Sequence, residues 1–143
     1  MDPKAENEKK KEYLRRYNDH VRRIRRIEIE LAELRTMRIS GSGNTDGMPH
    51  GSNQSDLSDY AADLDELEQK LIKERYKRVL AYKEIVKRIK KLESENEKDV
   101  LFYRYIAGYD WWQIAEKLRY SERQVHRFHG EALEHFELPV EDN

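Results

Sequence analysis

The sequence predicts an all-α protein: a long antiparallel helical hairpin, coiled-coil-like, followed by a small three-helix helix-turn-helix domain. Three observations lead there. Apolar residues recur at alternating four- and three-residue steps along two long segments, as on helices that each bury one stripe. Glycine and proline are scarce, 6 and 3 of 143 residues, and most glycines fall between those two segments. Past residue 93, three helix-capping signatures follow one another at short spacing.

The first element is a basic helix within residues 1–40, with its periodic part over 5–38. Tyr13, Tyr17, His20, Ile24, Ile27, Leu31 and Leu34 form its stripe, and Leu14 and Val21 widen it. The Arg pairs at 15–16, 22–23 and 25–26 lie mainly off the stripe and read best as a solvated face. Residues 41–55 hold four glycines and several serines and are expected to form a flexible linker. A second long helix is expected over 56–93. Ser55, Asp56, Ser58 and Asp59 offer capping oxygens, and acids suit a helix N-terminus. Leu57, Leu64, Leu71, Val79, Tyr82, Val86 and Ile89 make its stripe, with a phase slip near Glu74–Arg78. Neither helix can bury its stripe alone. Folding back within one chain is one solution, and a homodimer through the long helices is the other.

The remainder, 94–143, divides into three short helices and an acidic tail. Ser94 with Glu97, Asp110 with Gln113, and Ser121 with Gln124 each place a capping oxygen three residues before a Glu or Gln. Gly108 stands where the first of these helices needs a left-handed terminal residue. The helices are then expected to run to Ala107, over Trp111–Leu118, and onward from Ser121. Val100, Leu101, Ile106, Trp111, Ile114, Leu118, Val125, Phe128 and Ala132 fall on inward positions, and Ala115 is small where two helices must cross. The connecting turn, Arg119-Tyr120-Ser121, is short. The last helix offers Glu122, Arg123, Gln124, His126 and Arg127 near its N-terminus, the end that a helix-turn-helix inserts into the DNA major groove.

These residues carry a resemblance. Residues 99–133, DVLFYRYIAGYDWWQIAEKLRYSERQVHRFHGEAL, resemble region 4 of bacterial sigma factors, with Val-Leu, Arg-Tyr-Ile, an aromatic, Ile-Ala, Leu, Ser, Val and Ala-Leu in order. The whole chain resembles the ArpU/RinA-type late-gene transcription regulators of phages. The stretches Met48-Pro49-His50-Gly51 and Ser55-Asp56-Leu57-Ser58-Asp59-Tyr60 resemble the linker of that group. The resemblance implies sequence-specific binding of double-stranded DNA and regulation of transcription in the cytoplasm of a bacterial host, with host RNA polymerase as a further partner. It implies that Arg123, Gln124, His126 and Arg127 face base edges or phosphates, and that Gln113 and Ser121 touch the backbone. Arg pairs bidentately with guanine and Gln with adenine. Two residues depart from the family pattern. Arg119 replaces the usual turn glycine, and Glu122 puts an acid where many relatives have a base.

Charge makes the DNA expectation demanding. The formal net charge is −1, with 12 Lys+Arg against 8 Asp+Glu in residues 1–40 but 6 against 10 in 96–143. Phosphate neutralisation normally supplies much of DNA affinity, so the basic first helix, a dimer or polymerase has to contribute. Other classes fit less well. A packaging protein of the small-terminase kind also joins a helix-turn-helix to helical oligomerisation, and a sigma-like module can act on polymerase alone. Nothing in the sequence supplies a catalytic group or calls for a cofactor, so no enzyme is expected. Asp56, Asp59 and Asp63 read as capping and solvated acids, and His126, His129 and His135 do not converge as metal ligands. His126 reads as a polar groove residue and His129 as partly buried. Trp111 reads as core and Trp112 as half exposed, and the tyrosines read as helix packing. No apolar run approaches the roughly 20 residues that span a bilayer. No signal-peptide pattern is present. With no cysteine there is no disulfide or thiolate site.

Overall fold

A computed structural model describes residues 2–42 and 53–140. The chain is all-α: α1 (Pro3–Ser42), α2 (Asn53–Ile89), α3 (Glu95–Leu101), α4 (Trp111–Leu118) and α5 (Glu122–His135). Among the described residues of the expected linker, 41–42 and 53–55 are helical, so both long helices exceed their expected bounds. Residues 43–52, including the Met48–Gly51 stretch, lie outside the described residues.

Two compact units form. One comprises His20–Lys77, the other Met1–Asp19 and Arg78–Asn143. Each long helix therefore contributes a segment to each unit. In the first unit Ile24, Ile27, Leu31 and Leu71 are buried, with Leu64 and Leu67 packed on them. Arg35 pairs with Glu68 at 3.1 Å and Arg75 with Glu28 at 3.6 Å, so the α1 and α2 segments run antiparallel. Those exposed pairs add little stability; the apolar seam carries it.

The α2 stripe differs from the sequence expectation. Leu57, Val79 and Tyr82 are exposed, while Ala81 and Ile85 are buried. The buried and half-buried positions Leu64, Leu67, Leu71, Glu74, Arg78, Ala81 and Ile85 keep unbroken three- and four-residue steps. There is no phase slip. Polar residues occupy two seam positions, and each has a partner from α1. Glu74 Oε2 lies 2.9 Å from His20 Nδ1. Arg78 donates from Nη2 to the Tyr17 hydroxyl at 2.9 Å. Polar partners inside an apolar seam fix register, because any slip leaves a buried polar group unmatched.

The second unit is built around α3, α4 and α5. Val100, Ile114, Ala115 and Val125 are buried together, with Tyr103, Tyr109, Trp111, Leu118 and Phe128 packed on them. The beginning of α1 and the end of α2 belong to this core: Leu14, Ile85, Leu101, Leu133 and Phe136 are all fully buried. Tyr13 meets the Phe136 ring at 5.9 Å between centroids. The Lys10 ammonium, itself buried, donates to the Leu133 carbonyl at 2.7 Å and the Glu134 carbonyl at 3.4 Å. These are carbonyls from the last turn of α5, which its own helix leaves without partners.

Local signals set the helix ends. Ser94 Oγ accepts the Glu97 amide at 3.3 Å, but the Glu97 carboxylate does not complete the box. It is buried against His135 Nδ1 at 2.7 Å. The expected single helix to Ala107 is also corrected: α3 stops at Leu101 and a π-helical turn covers Phe102–Ile106. Gly108 takes the left-handed conformation expected of it, with φ 75°. Arg119 does the same as a non-glycine, with φ 59° and ψ 43°. Forcing a side chain there costs roughly 1–2 kcal/mol. Replacing Arg119 with Gly relieves that strain, partly offset by a freer unfolded chain. The expected outcome for Arg119→Gly is a gain of about 0.5–1 kcal/mol in urea unfolding; a loss of stability would contradict it.

Candidate nucleic-acid interface

The interface begins with how α4 and α5 are locked. The Asp110 amide donates to Gln113 Oε1 at 2.9 Å, completing the capping box of α4. At its far end the Tyr120 amide reaches back to the Ala115 carbonyl at 3.1 Å, closing the helix in a Schellman-type turn around left-handed Arg119. The Tyr120 ring meets Phe128 edge-on at 5.0 Å, and its hydroxyl accepts from Asn96 at 3.4 Å. Ser121 then caps α5, its Oγ accepting the Gln124 amide at 3.1 Å. The turn is thus held at backbone, ring and hydroxyl.

Buried Val125, His129, Ala132 and Leu133 form the inward side of α5. The opposite side of its first turns leaves Glu122, Arg123, His126 and Arg127 exposed, with Ser121 exposed at the cap and Gln124 half-buried. Of the side chains singled out in the sequence, Ser121, Glu122, Arg123, His126 and Arg127 stand in solvent, while Gln124 and, on α4, Gln113 are half-buried. Arg127 Nε holds Glu131 at 3.3 Å in an exposed pair, which exchanges easily for another anion. Gln113 and Ser121 are partly committed: each uses its side-chain oxygen in a cap. Glu122 occupies the first turn of α5, where the helix dipole favours an acid. The same carboxylate opposes an approaching phosphate.

Trp111 ties the exposed side to the core. It is half-buried, and its ring meets His126 at 4.4 Å and His129 at 4.8 Å. The Arg104 guanidinium lies over it at 4.4 Å while donating to the Tyr109 carbonyl at 3.1 Å. The π-helical turn carries Arg104 and Tyr105 to this place, and the sequence did not reveal it. A straight helix to Ala107 was the simpler expectation. Trp112 is 56% exposed.

His129 is buried, more so than expected. Its Nε2 lies 2.7 Å from the Tyr105 hydroxyl. Burial holds its pKa down at about 4, and the positive charges of Lys11, His126, Arg104 and Arg15 add to the effect. Burial also pushes Tyr105 up to about 12. Lys11 and Arg15 of α1 are therefore close to this part of α5, whereas the sequence alone reads Arg15 as part of a solvated face and gives no sign of a role for Lys11. Their segment changes the charge balance. The unit that contains α3–α5 holds 18 Lys+Arg against 18 Asp+Glu once Met1–Asp19 and Arg78–Glu93 are included with it. The acidity of the C-terminal segment is cancelled within its own unit.

Among the described residues no group of His, Asp and Glu could hold a metal ion, and no helix is long and apolar enough to cross a membrane. The sequence and structure match no protein-family model, no curated protein and no solved structure.

The His129 environment has a consequence for stability. Its folded pKa lies below the unfolded value of about 6.5. The stability tied to neutral His129 is therefore present above that value and is lost as pH falls toward 4. The size is roughly 3 kcal/mol. The exposed His135 acts oppositely, since its Glu97 partner raises its pKa and favours the folded state at lower pH. Urea unfolding at neutral and mildly acidic pH should show a steeper loss for the native chain than for His129→Gln. Parallel pH profiles would rule out this role for His129.

Proposed function

We propose that the chain binds double-stranded DNA through α4 and α5 and regulates transcription, as the phage late-gene regulators that it resembles in sequence do. The observation that carries this is the two-sidedness of α5. Its apolar side is fixed on α3 and α4 through Val125, while Arg123, His126 and Arg127 project into solvent from its first two turns. A rigid helix whose polar N-terminal half stands clear of the core is what major-groove insertion requires.

In this mechanism α5 enters the groove and α4 lies across the phosphate backbone. Arg123 and Arg127 are the side chains suited to paired acceptors on guanine or to phosphate. Releasing Arg127 from Glu131 takes little energy, because the pair is exposed. His126 and half-buried Gln124 supply further hydrogen-bonding edges, and Gln113 and Ser121 orient the backbone contacts. Lys11, Arg15 and Arg104 raise the local positive potential beside α5 and help offset Glu122. Buried Tyr13, Leu14 and Tyr17 make deletion of the first helix an unsuitable test of this contribution, because the core would go with it.

The test starts from genomic fragments selected by the purified full chain at a stated salt concentration. On the selected fragment, Arg123→Ala combined with Arg127→Ala should lower affinity about 10- to 100-fold and flatten its salt dependence. The circular dichroism spectrum should stay unchanged, since both side chains are exposed. Undiminished binding by the folded double variant would overturn the proposal.

A further inference from the structure

α2 carries a second coiled-coil stripe on the side opposite its buried seam. Asp65, Gln69, Ile72, Tyr76, Val79 and Lys83 follow one another at steps of four and three residues, with Leu80 and Lys87 one turn beyond Tyr76 and Lys83. All eight are exposed. The apolar centre is substantial: Ile72 is 58% exposed, Tyr76 65%, Val79 49% and Leu80 47%. Apolar side chains at coiled-coil spacing are unusual on a solvated helix face, and they concentrate here within two turns. The stripe lies along α2 alone, so helix geometry by itself sets it.

We propose that this stripe is a homodimer interface in which α2 of one chain packs antiparallel on α2 of a second copy, with the two-fold axis near Tyr76. Charge complementarity selects the second copy. The stripe is acidic toward its N-terminal end, at Asp65, and basic toward its C-terminal end, at Lys83 and Lys87. Among the described residues none of these three charges has an ion-pair partner. An antiparallel pair brings Asp65 of each copy within reach of Lys83 and Lys87 of the other, at both ends. Ile72, Tyr76, Val79 and Leu80 then meet in the middle. A parallel pair in register would set Asp65 against Asp65 and the lysines against each other, which is repulsive. From Asp65 to Lys87 the stripe extends about 33 Å, enough for three heptads. The partner is the chain itself, so the inference stands apart from the DNA-binding proposal. It extends that proposal, because a two-fold dimer would read paired half-sites.

Sedimentation equilibrium of the full chain tests it. The native protein should be a dimer in the micromolar range. Tyr76→Glu should raise the dissociation constant about 100-fold, since two like charges would be buried at the axis. Helix content should be retained, because Tyr76 takes no part in the buried seam. Asp65→Lys alone should weaken the dimer, as should Lys83→Glu combined with Lys87→Glu, and the three changes together should restore it. The chain contains no cysteine, so an introduced thiol is unique. Tyr76→Cys should form an inter-chain disulfide on mild oxidation. Asp65→Cys should not link to itself but should link to a chain bearing Lys87→Cys. A monomer across the accessible range, a dimer indifferent to Tyr76→Glu, or no restoration by the triple exchange would overturn the proposal. Efficient self-linking through Asp65→Cys would overturn the antiparallel arrangement.

Discussion

The contact on which the α3–α5 unit most depends joins residues more than a hundred positions apart. Every α-helix ends with carbonyls that lack partners and with the negative end of its dipole. In α5 the Leu133 carbonyl is buried where water cannot serve it, and the Glu134 carbonyl is part-buried. The buried Lys10 ammonium serves both instead, and its charge matches the dipole. Phe136 follows, fully buried against Tyr13, so the same turn is held by apolar packing. With its C-terminal half fixed, α5 extends its polar N-terminal half into solvent at a defined angle.

The other features of the unit serve the same division. The turn before α5 has a left-handed residue, a hydroxyl cap and a ring contact, so the angle between α4 and α5 has little freedom. Trp111 lies between the two regimes, with Arg104 on one side and the imidazoles of His126 and His129 on the others. One imidazole is exposed and the other buried. A shift of α5 would disturb both the polar edge and the core through that single indole. The placement of the exposed face is thus a product of the packing behind it.

Legibility in the sequence followed the range of the interactions. Caps at Ser94, Asp110 and Ser121 are local chemistry within three residues, and all three were readable. Arg119 was legible only as a departure from the family's turn glycine, and it nonetheless takes the left-handed conformation that this turn demands. The α1 stripe was readable because its seam positions are apolar or aromatic. The α2 stripe was misread where Glu74 and Arg78 occupy the seam, since a polar residue looks like an interruption until its partner is known. Those partners, His20 and Tyr17, lie more than fifty residues away. Lys10 was hidden for the same reason. The π-helical turn was hidden for another: hydrogen bonds five residues apart leave no composition signal. Of the candidate DNA-facing residues, the exposed set on α5 was legible from a short polar cluster after a cap. The contribution of Lys11, Arg15 and Arg104 was not.

The dependence of this unit on Lys10 can be measured by replacing it with a side chain of similar length and no charge. Lys10→Met removes the donor from the buried carbonyl of Leu133 and from the part-buried carbonyl of Glu134. Urea unfolding should then show a loss of about 1–3 kcal/mol, with faster amide exchange confined at first to the last turns of α5. Unchanged stability and unchanged exchange there would mean that the C-terminus of α5 is held by something other than the ammonium.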